Sequence, residues 1–273
     1  MTRKLIVSGD DLGIHEAINQ GVLEAHEEGI VTSASIVPCG RAFDHACKLV
    51  EKRKKLGIGI HLTLVEERPL LGPDVLKTLA PKGRLPKSYR QLFFGLVKGR
   101  IHTEEIELEL DAQIQRVLKA GLSVTHFDSH QHTHFFPQIR QTLFRLAEHY
   151  QVRGLRAAGR VVPSRTKFSV FLAPLARGVR RAARSRGIAT PDTLWLPSPS
   201  GRITARDLIT GIPRLPEGVT ELVVHPGVDQ NALEREYPTW GFKWQQELAA
   251  IKATDVRDML TRHNIQLARY SEL

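Results

Sequence analysis

A chain of 273 residues is long enough for a large buried core, and its 41% apolar and 25% charged composition excludes intrinsic disorder. Its two cysteines, Cys39 and Cys47, are too few for a disulfide framework or a four-thiolate zinc site, which points to a reducing, cytoplasmic setting. No window reaches the roughly 20 apolar residues of a membrane span, and the first apolar run, Leu5-Ile-Val, is too short for a signal peptide.

The net charge of +10 is unevenly spread. Between His149 and Pro191 there is no aspartate or glutamate but ten Arg or Lys residues, from Arg153 to Arg186, and the remainder sums to neutrality. The excess therefore reads as local equipment. Within it, the basic amphipathic stretch Phe168 to Arg186 is either an outer helix with a solvated arginine face or a segment that lies on anionic membrane.

In chain order, Leu5-Ile-Val is a short strand ending at Ser8-Gly-Asp10-Asp11. Ile14, Ile18, Val22 and Ala25 predict a helix stopped by Gly29. Ile30 to Val37 reads as a buried strand, Arg41 to Lys55 as a helix and Ile58 to Leu64 as the third strand. The stretch carrying Pro69, Pro73, Pro81 and Pro86 is longer than an ordinary connection and marks a functional loop. Thr103 is placed as the cap of a helix with Ile106, Leu110, Ile114 and Val117 on one face and Gly121 at its end. A strand near Val124 leads into a histidine cluster, and Pro137 opens a helix. Glu221 to His225 is a late strand, Thr254 caps a final helix, and Ile265 to Ala268 is a last strand.

Strands alternating with helices, without linker or repeat, predict an α/β fold with a mostly parallel sheet in one domain over 1–273. Seven or so strand–helix units favour a closed or nearly closed barrel over an open dinucleotide-binding sheet. No Gly-x-Gly-x-x-Gly follows the first strand.

The chemistry gathers at strand ends. His126 to His134 holds four histidines and Asp128 in nine residues, and imidazole is both the commonest metal ligand and the side chain titrating nearest neutrality. Asp10 and Asp11 follow strand one, His61 nears the end of strand three, and His225 ends a late strand. In parallel α/β proteins those ends share one face, so positions as distant as Asp10 and His225 converge on one mouth. Two histidines and one carboxylate leave metal positions open for water and substrate. Asp11, His61 and His130 are placed as that metal set, Asp10 as the base for water, and His225 as the acid for a departing amine. Each has a plainer reading alone: a helix cap for the Asp pair, a core histidine for His61, a turn for His225-Pro-Gly. If the fourth strand continues, His130, His132 and His134 share a face. If the turn is helical, His134 reaches the same ion and is the rival ligand. Asp128 is placed to orient a ligand histidine from behind.

Ile6-Val-Ser-Gly-Asp-Asp-Leu-Gly, Gly29-Ile-Val-Thr-Ser, Gly59-Ile-His-Leu-Thr-Leu, Asp128-Ser-His-Gln-His-Thr-His-Phe-Phe-Pro and His225-Pro-Gly occur in that order, with Thr190-Pro-Asp between the last two. Together they resemble the YdjC-like, or ChbG-type, carbohydrate deacetylases. The resemblance implies a distorted TIM-like barrel akin to the NodB-like polysaccharide deacetylases, and metal-dependent removal of acetyl from N-acetylated amino sugars. It implies Asp11, His61 and His130 as metal ligands and Asp10 and His225 as the acid–base pair. It also implies Mg2+ as the ion, whereas two imidazoles and a carboxylate suit Zn2+, cobalt or nickel. Where the family has Asn-Ala before the paired aspartates and Phe after them, this chain has Ser8-Gly9 and Leu12, a change that bears on the pocket floor and substrate. Members include chitooligosaccharide deacetylases and proteins associated with hopanoid lipid synthesis, so the implied substrate is a free or a lipid-linked glycan; a homodimer is implied at family level. The rivals are a metal-dependent phosphoesterase, which usually benefits from two ions, and a membrane- or nucleic-acid-binding protein using Arg153 to Arg186, which carries no recognisable nucleic-acid motif.

Overall fold

The structure, a computed structural model, describes residues 2–162, 167–198 and 201–273, with the side chains of 167–172 outside that description. The described chain runs β1 (Arg3–Leu12), α1 (Glu16–Glu27), β2 (Ser33–Ile36), α2 (Phe43–Val50), β3 (Gly57–Leu62), α3 (Tyr89–Val97), α4 (Thr103–Lys119) and β4 (Val124–Ser129). It continues through α5 (Pro137–His149), β5 (Arg160–Val162), α6 (Lys167–Arg184), β6 (Thr193–Trp195), α7 (Ala205–Gly211) and β7 (Gly218–Val224). The last elements are α8 (Gln230–Glu236), α9 (Trp244–Lys252), α10 (Thr254–Arg262) and β8 (Ile265–Leu267).

Strand neighbours follow the order β4-β3-β2-β1-β7-β6-β5, each pair parallel. The two ends of that row meet through the chain leading into β5. The Phe127 N–H donates to the Gly154 carbonyl at 3.0 Å, and the Arg156 N–H to the Phe127 carbonyl at 2.9 Å. The result is a distorted TIM-like ring, with β8 attached only beside the first residues of β1. Helical connections place all carboxyl ends at one mouth, as expected of parallel strands.

Side-chain alternation divides each strand between two environments. On β1, Leu5 and Val7 join the apolar layer under the helices, whereas Ile6 packs with Ala268 and Tyr270 inside the ring. Ser8 and Asp10 follow Ile6 inward. On β4, Phe127 faces the helices and His126 and Asp128 face inward, where the His126 ring stacks on Tyr270 at 3.6 Å between centroids. The interior is consequently polar, and its centre is the side chain of Arg156, 0% exposed.

Several boundaries differ from the sequence reading. β1 extends through both aspartates instead of stopping before them, and β2 is shorter than Ile30 to Val37. Thr103 and Thr254 are the first residues of their helices, not side-chain caps. The cap of α1 is His15, whose Nδ1 accepts from the Ala17 N–H at 3.0 Å, so the Asp pair does not serve that role. The proline-rich stretch after β3 has no helix through Pro86 and is followed by α3, which the sequence reading did not place. Cys39 and Cys47 are free thiols.

The charge reading also needs revision. Arg156 of the basic segment is buried, Arg180 and Arg184 pair with Asp192, and Arg186 lies 3.5 Å from Glu148. Of the stretch Phe168 to Arg186, read from sequence as an outer helix or a membrane-lying segment, the backbone through Arg184 is α6 and the side chains of 168–172 lie outside the description. A second basic stretch was hidden by the summed charge: residues 68–102 carry eight Lys or Arg against one acid, Asp74. Among the described residues no helix is long and apolar enough to cross a membrane.

Candidate active site

Strict alternation would send Asp10 and Asp11 to opposite faces of β1. A register shift between Gly9 and Leu12, with Asp11 in the left-handed region at φ 66°, turns the second carboxylate back into the mouth. Aspartate is among the few residues that tolerate that conformation. Asp10, Asp11, His61, His130 and His225 all line one cleft of about 590 Å3.

Asp11, His61 and His130 present ligand atoms that lie within 4.8 Å of one another, and all three residues are buried. His130 Nδ1 is 3.0 Å and His61 Nε2 3.5 Å from Asp11 Oδ1. The opposite ring nitrogens are already committed: His61 Nδ1 to Asp128 Oδ1 at 2.9 Å, and His130 Nε2 to Glu66 Oε2 at 2.9 Å. A carboxylate behind each histidine fixes its tautomer and aims its free nitrogen forward, the arrangement found around metal-binding imidazoles. Asp11 Oδ2 is buried with no hydrogen-bond partner. Donor types, spacing and this orphaned oxygen all fit a divalent ion.

The cluster's electrostatics agree. Burial pushes the Asp11 carboxyl up, but the charge and hydrogen bond of His130, helped by His61 and His225, hold it well below the usual carboxylate range. Burial pulls His130 down, yet Asp11 and then Glu66 raise it to about 10. His61 likewise rises against burial, through Asp128 and Asp10.

Arg156 organises the floor. Its NH1 and NH2 donate to the two oxygens of Asp10 at 2.6 and 2.7 Å, NH2 also meets Asp128 Oδ2 at 2.8 Å, and Nε donates to Glu221 Oε1 at 2.9 Å. Ser35 Oγ donates to Asp128 Oδ2 at 2.7 Å. A second grouping of potential ligands, Asp10, His61 and Asp128, is therefore already engaged by a guanidinium. Burial pushes Glu221 up to about 7 even though Arg156 opposes it, while Asp128 stays well below its usual range because Arg156 and His61 outweigh burial.

His225 sits across the cleft. The buried Glu247 on α9 accepts from the His225 N–H at 2.6 Å and lies 3.9 Å from its Nδ1, pinning the turn after β7. Gly21 on α1 lets the same turn approach closely, since a Cβ there would meet the backbone of Gly227 and Pro226. Trp240 tilts over His130 at 5.3 Å and beside Phe242 at 5.2 Å, giving the cleft an aromatic wall.

The remaining histidines separate. Gln131 and His132 turn left-handed at φ 52° and 53°, ending the strand, so His130, His132 and His134 do not share a face. His134 is not a rival ligand: its Nε2 donates to the Arg156 carbonyl at 2.8 Å and its Nδ1 accepts from Ser129 Oγ at 2.6 Å. Burial holds it near 4, hence neutral. Asp128 stands behind His61, as the sequence reading placed it.

Sequence reasoning missed Arg156, Glu66, Glu247 and Trp240. Arg156 was counted as surface charge. For Glu247 a signal existed: Trp244, Glu247, Leu248 and Ile251 share one helix face, so an acid stands in an apolar stripe.

A sequence profile described as YdjC-like protein matches residues 4–262. This chain belongs to that family. Curated relatives of the YdjC-like chain include a carbohydrate deacetylase of Brevibacillus brevis, 41% identical over 55% of this chain and 57% of the relative. A chitooligosaccharide deacetylase of Escherichia fergusonii is 39% identical over 51% and 53%. These matches span little more than half of those relatives' length; a carbohydrate deacetylase of Thermoanaerobacter pseudethanolicus matches at 26% identity over 98% of both chains. Among solved structures, an Enterococcus faecalis protein named for cellobiose-phosphate cleavage superposes with a TM-score of 0.82 at 24% identity, covering 100% of this chain and 99% of its own. That likeness shows a shared fold.

Proposed function

We propose that this YdjC-like protein is a divalent-metal-dependent deacetylase of N-acetylated amino sugars, free chitooligosaccharides or lipid-linked glycans. The observation that carries the reading is the single cleft in which Asp11, His61 and His130 face one point, Asp10 lies on the floor and His225 on the opposite wall. The names of the relatives support it.

Asp11, His61 and His130 are the residues to hold the ion. Bound there, it supplies Lewis-acid polarisation of the acetamide carbonyl and makes water more acidic. Asp10, clamped by both Arg156 nitrogens, takes the proton from the attacking water. His225, steadied by Glu247, returns a proton to the leaving amine. Trp240 and Phe242 offer flat faces on which a sugar ring stacks. Two imidazoles beside one carboxylate match Zn2+, cobalt or nickel better than the Mg2+ implied by resemblance. A two-ion phosphoesterase fits less well, because Arg156 already holds the carboxylates of the second grouping.

The test is acetate release from N-acetylglucosamine oligomers with and without chelator, beside metal binding by calorimetry. His61→Ala and His130→Ala are expected to lose metal and acetate release together. Asp10→Asn is expected to retain the ion while slowing turnover about 100-fold or more, the usual scale of a lost general base. Acetate release that survives loss of the ion refutes the assignment.

A further inference from the structure

Between β3 and α3 the chain runs from Thr63 to Ser88, all of it described and without helix or strand, well past the roughly 12–15 residues of an ordinary connection. A strap without regular structure must find partners for its backbone groups elsewhere, and α4 supplies several. Glu105, Glu109 and Gln113 follow one another at four-residue spacing on one face of that helix, and all three are buried. Gln113 holds both backbone groups of Thr63: its Oε1 accepts from the N–H at 2.9 Å and its Nε2 donates to the carbonyl at 2.7 Å. Glu109 accepts from the Leu70 and Leu71 N–H groups, one on each oxygen, at 2.9 and 3.0 Å. Glu105 Oε2 accepts from the Thr78 and Leu79 N–H groups, both at 2.8 Å. Glu109 is 0% exposed and, among the described residues, forms no ion pair. A buried carboxylate is costly unless it is hydrogen-bonded, and the donors that satisfy this one are the strap and Gln113.

What the strap carries to the site is Glu66. Its backbone is left-handed at φ 67°, a conformation that glutamate seldom adopts and that the surroundings must enforce. The Glu66 N–H donates to the Pro86 carbonyl at 2.8 Å and the Leu85 N–H to the Glu67 carbonyl at 3.3 Å, so the two limbs of the strap clasp each other there. Glu66 Oε2 then meets His130 Nε2 at 2.9 Å. A chain of contacts thus leads from α4, through the strap backbone, to a candidate metal ligand.

We propose that Glu109 is a positioning residue for the metal centre, holding the strap where Glu66 pins His130. The proposal rests on the metal set of the deacetylase reading. Glu109 does not line the catalytic cleft, so its influence on an ion passes through the strap. Opening of the strap withdraws Glu66 from His130 and weakens the grip on the ion. By linkage, the ion favours the closed strap by the same factor. A carboxylate behind a ligand histidine is worth about 10–100-fold in metal affinity, which sets the largest effect the strap can exert.

The experiment titrates the full chain, stripped by chelator, with Zn2+ in a calorimeter, counting only the site that His61→Ala abolishes. Amide hydrogen exchange at Leu70 and Leu71 is followed in parallel. Glu109→Gln keeps the side-chain shape but sets an NH2 group against one of the two backbone donors. It is expected to speed exchange at Leu70 and Leu71 about tenfold, by easing local opening, and to weaken Zn2+ binding about tenfold. Glu66→Ala is expected to weaken Zn2+ binding by at least as much. The double variant should then bind no more weakly than Glu66→Ala alone, because both changes cut one path. Saturating Zn2+ should slow exchange at Leu70 and Leu71 in the wild type but not in Glu66→Ala. That last comparison leaves α4 untouched and decides the matter even where Glu109→Gln does not fold. Unaltered Zn2+ affinity in a folded Glu109→Gln, additive losses in the double variant, or strap exchange indifferent to Zn2+ overturns the proposal. Acetate release from diacetylchitobiose is measured on the same preparations. Its absence beside a coupled strap counts against the deacetylase reading alone, and its presence beside an uncoupled strap counts against the positioning role alone.

Discussion

Replacing Arg156 by Met removes the guanidinium shared by Asp10, Asp128 and Glu221 in a fully buried setting. Breaking a buried ion pair by deleting one partner costs about 3–5 kcal/mol, because the survivor is left charged without water. Here three carboxylates lose a shared partner, and Ser8 Oγ loses a donor at 3.2 Å, so the upper part of that range applies. At about 2–4 °C per kcal/mol for a large domain, a loss of about 4–5 kcal/mol should lower the midpoint of thermal unfolding by roughly 8–20 °C. The gap between variant and wild type should narrow from about pH 7 to about pH 5, since the stripped carboxylates regain neutrality by taking protons that the unfolded chain does not yet hold. Arg156→Lys, with one point charge for a five-donor fork, should fall between the two. Melting curves across that pH range decide the matter. A fall under about 3 °C, or a gap that widens in acid, would show that the guanidinium is not what makes these buried carboxylates tolerable.

Two further outcomes follow from the site. With its ordinary value of 6.5 raised to about 10, His130 in the metal-free protein contributes stability that is complete below the lower value and lost as pH rises through the higher one. A metal must displace that proton, so uptake at about pH 8 should release close to one proton, read as a dependence of binding heat on buffer ionisation; zero release would exclude His130 as a ligand. Gly21→Ala should cost about 1–3 kcal/mol and lower acetate release, because the added methyl displaces the turn carrying His225 from α1. Unaltered melting would mean that the turn shifts freely.

Much of this arrangement was legible because parallel strands obey one simple rule. Carboxyl ends share a face, so Asp10, Asp11, His61, His130 and His225 could be gathered from a linear reading. What stayed hidden was decided by packing. β5 and β6 are three residues each, too short to show a period. Arg156 has the same letter as the solvated arginines around it, and only the small residues Ala157 and Ala158 following it hint at an interior position. The left-handed turn at Gln131 and His132 dispersed a histidine row that alternation would have kept together. Net charge summed over long stretches concealed the cations of 68–102 behind acids elsewhere.

The candidate reacting groups and the cations of 68–102 come from different parts of the chain. Asp10, Asp11, His61, His130 and His225 ride on strand ends fixed by the ring, whereas the exposed cations Arg68, Lys82, Arg84, Lys87, Lys98 and Arg100, which line a neighbouring groove, all lie between β3 and α4. Glu66, between β3 and that set of cations, meets the candidate ligand His130 at 2.9 Å. The stretch from Arg68 to Arg100 thus carries none of the five candidate reacting residues, although Leu76, Leu79, Leu85, Leu92 and Leu96 tie it into the core. On the proposed deacetylase reading, exchanging its surface residues for those of another family member is expected to change which glycan is accepted while the strand-end residues stay in place.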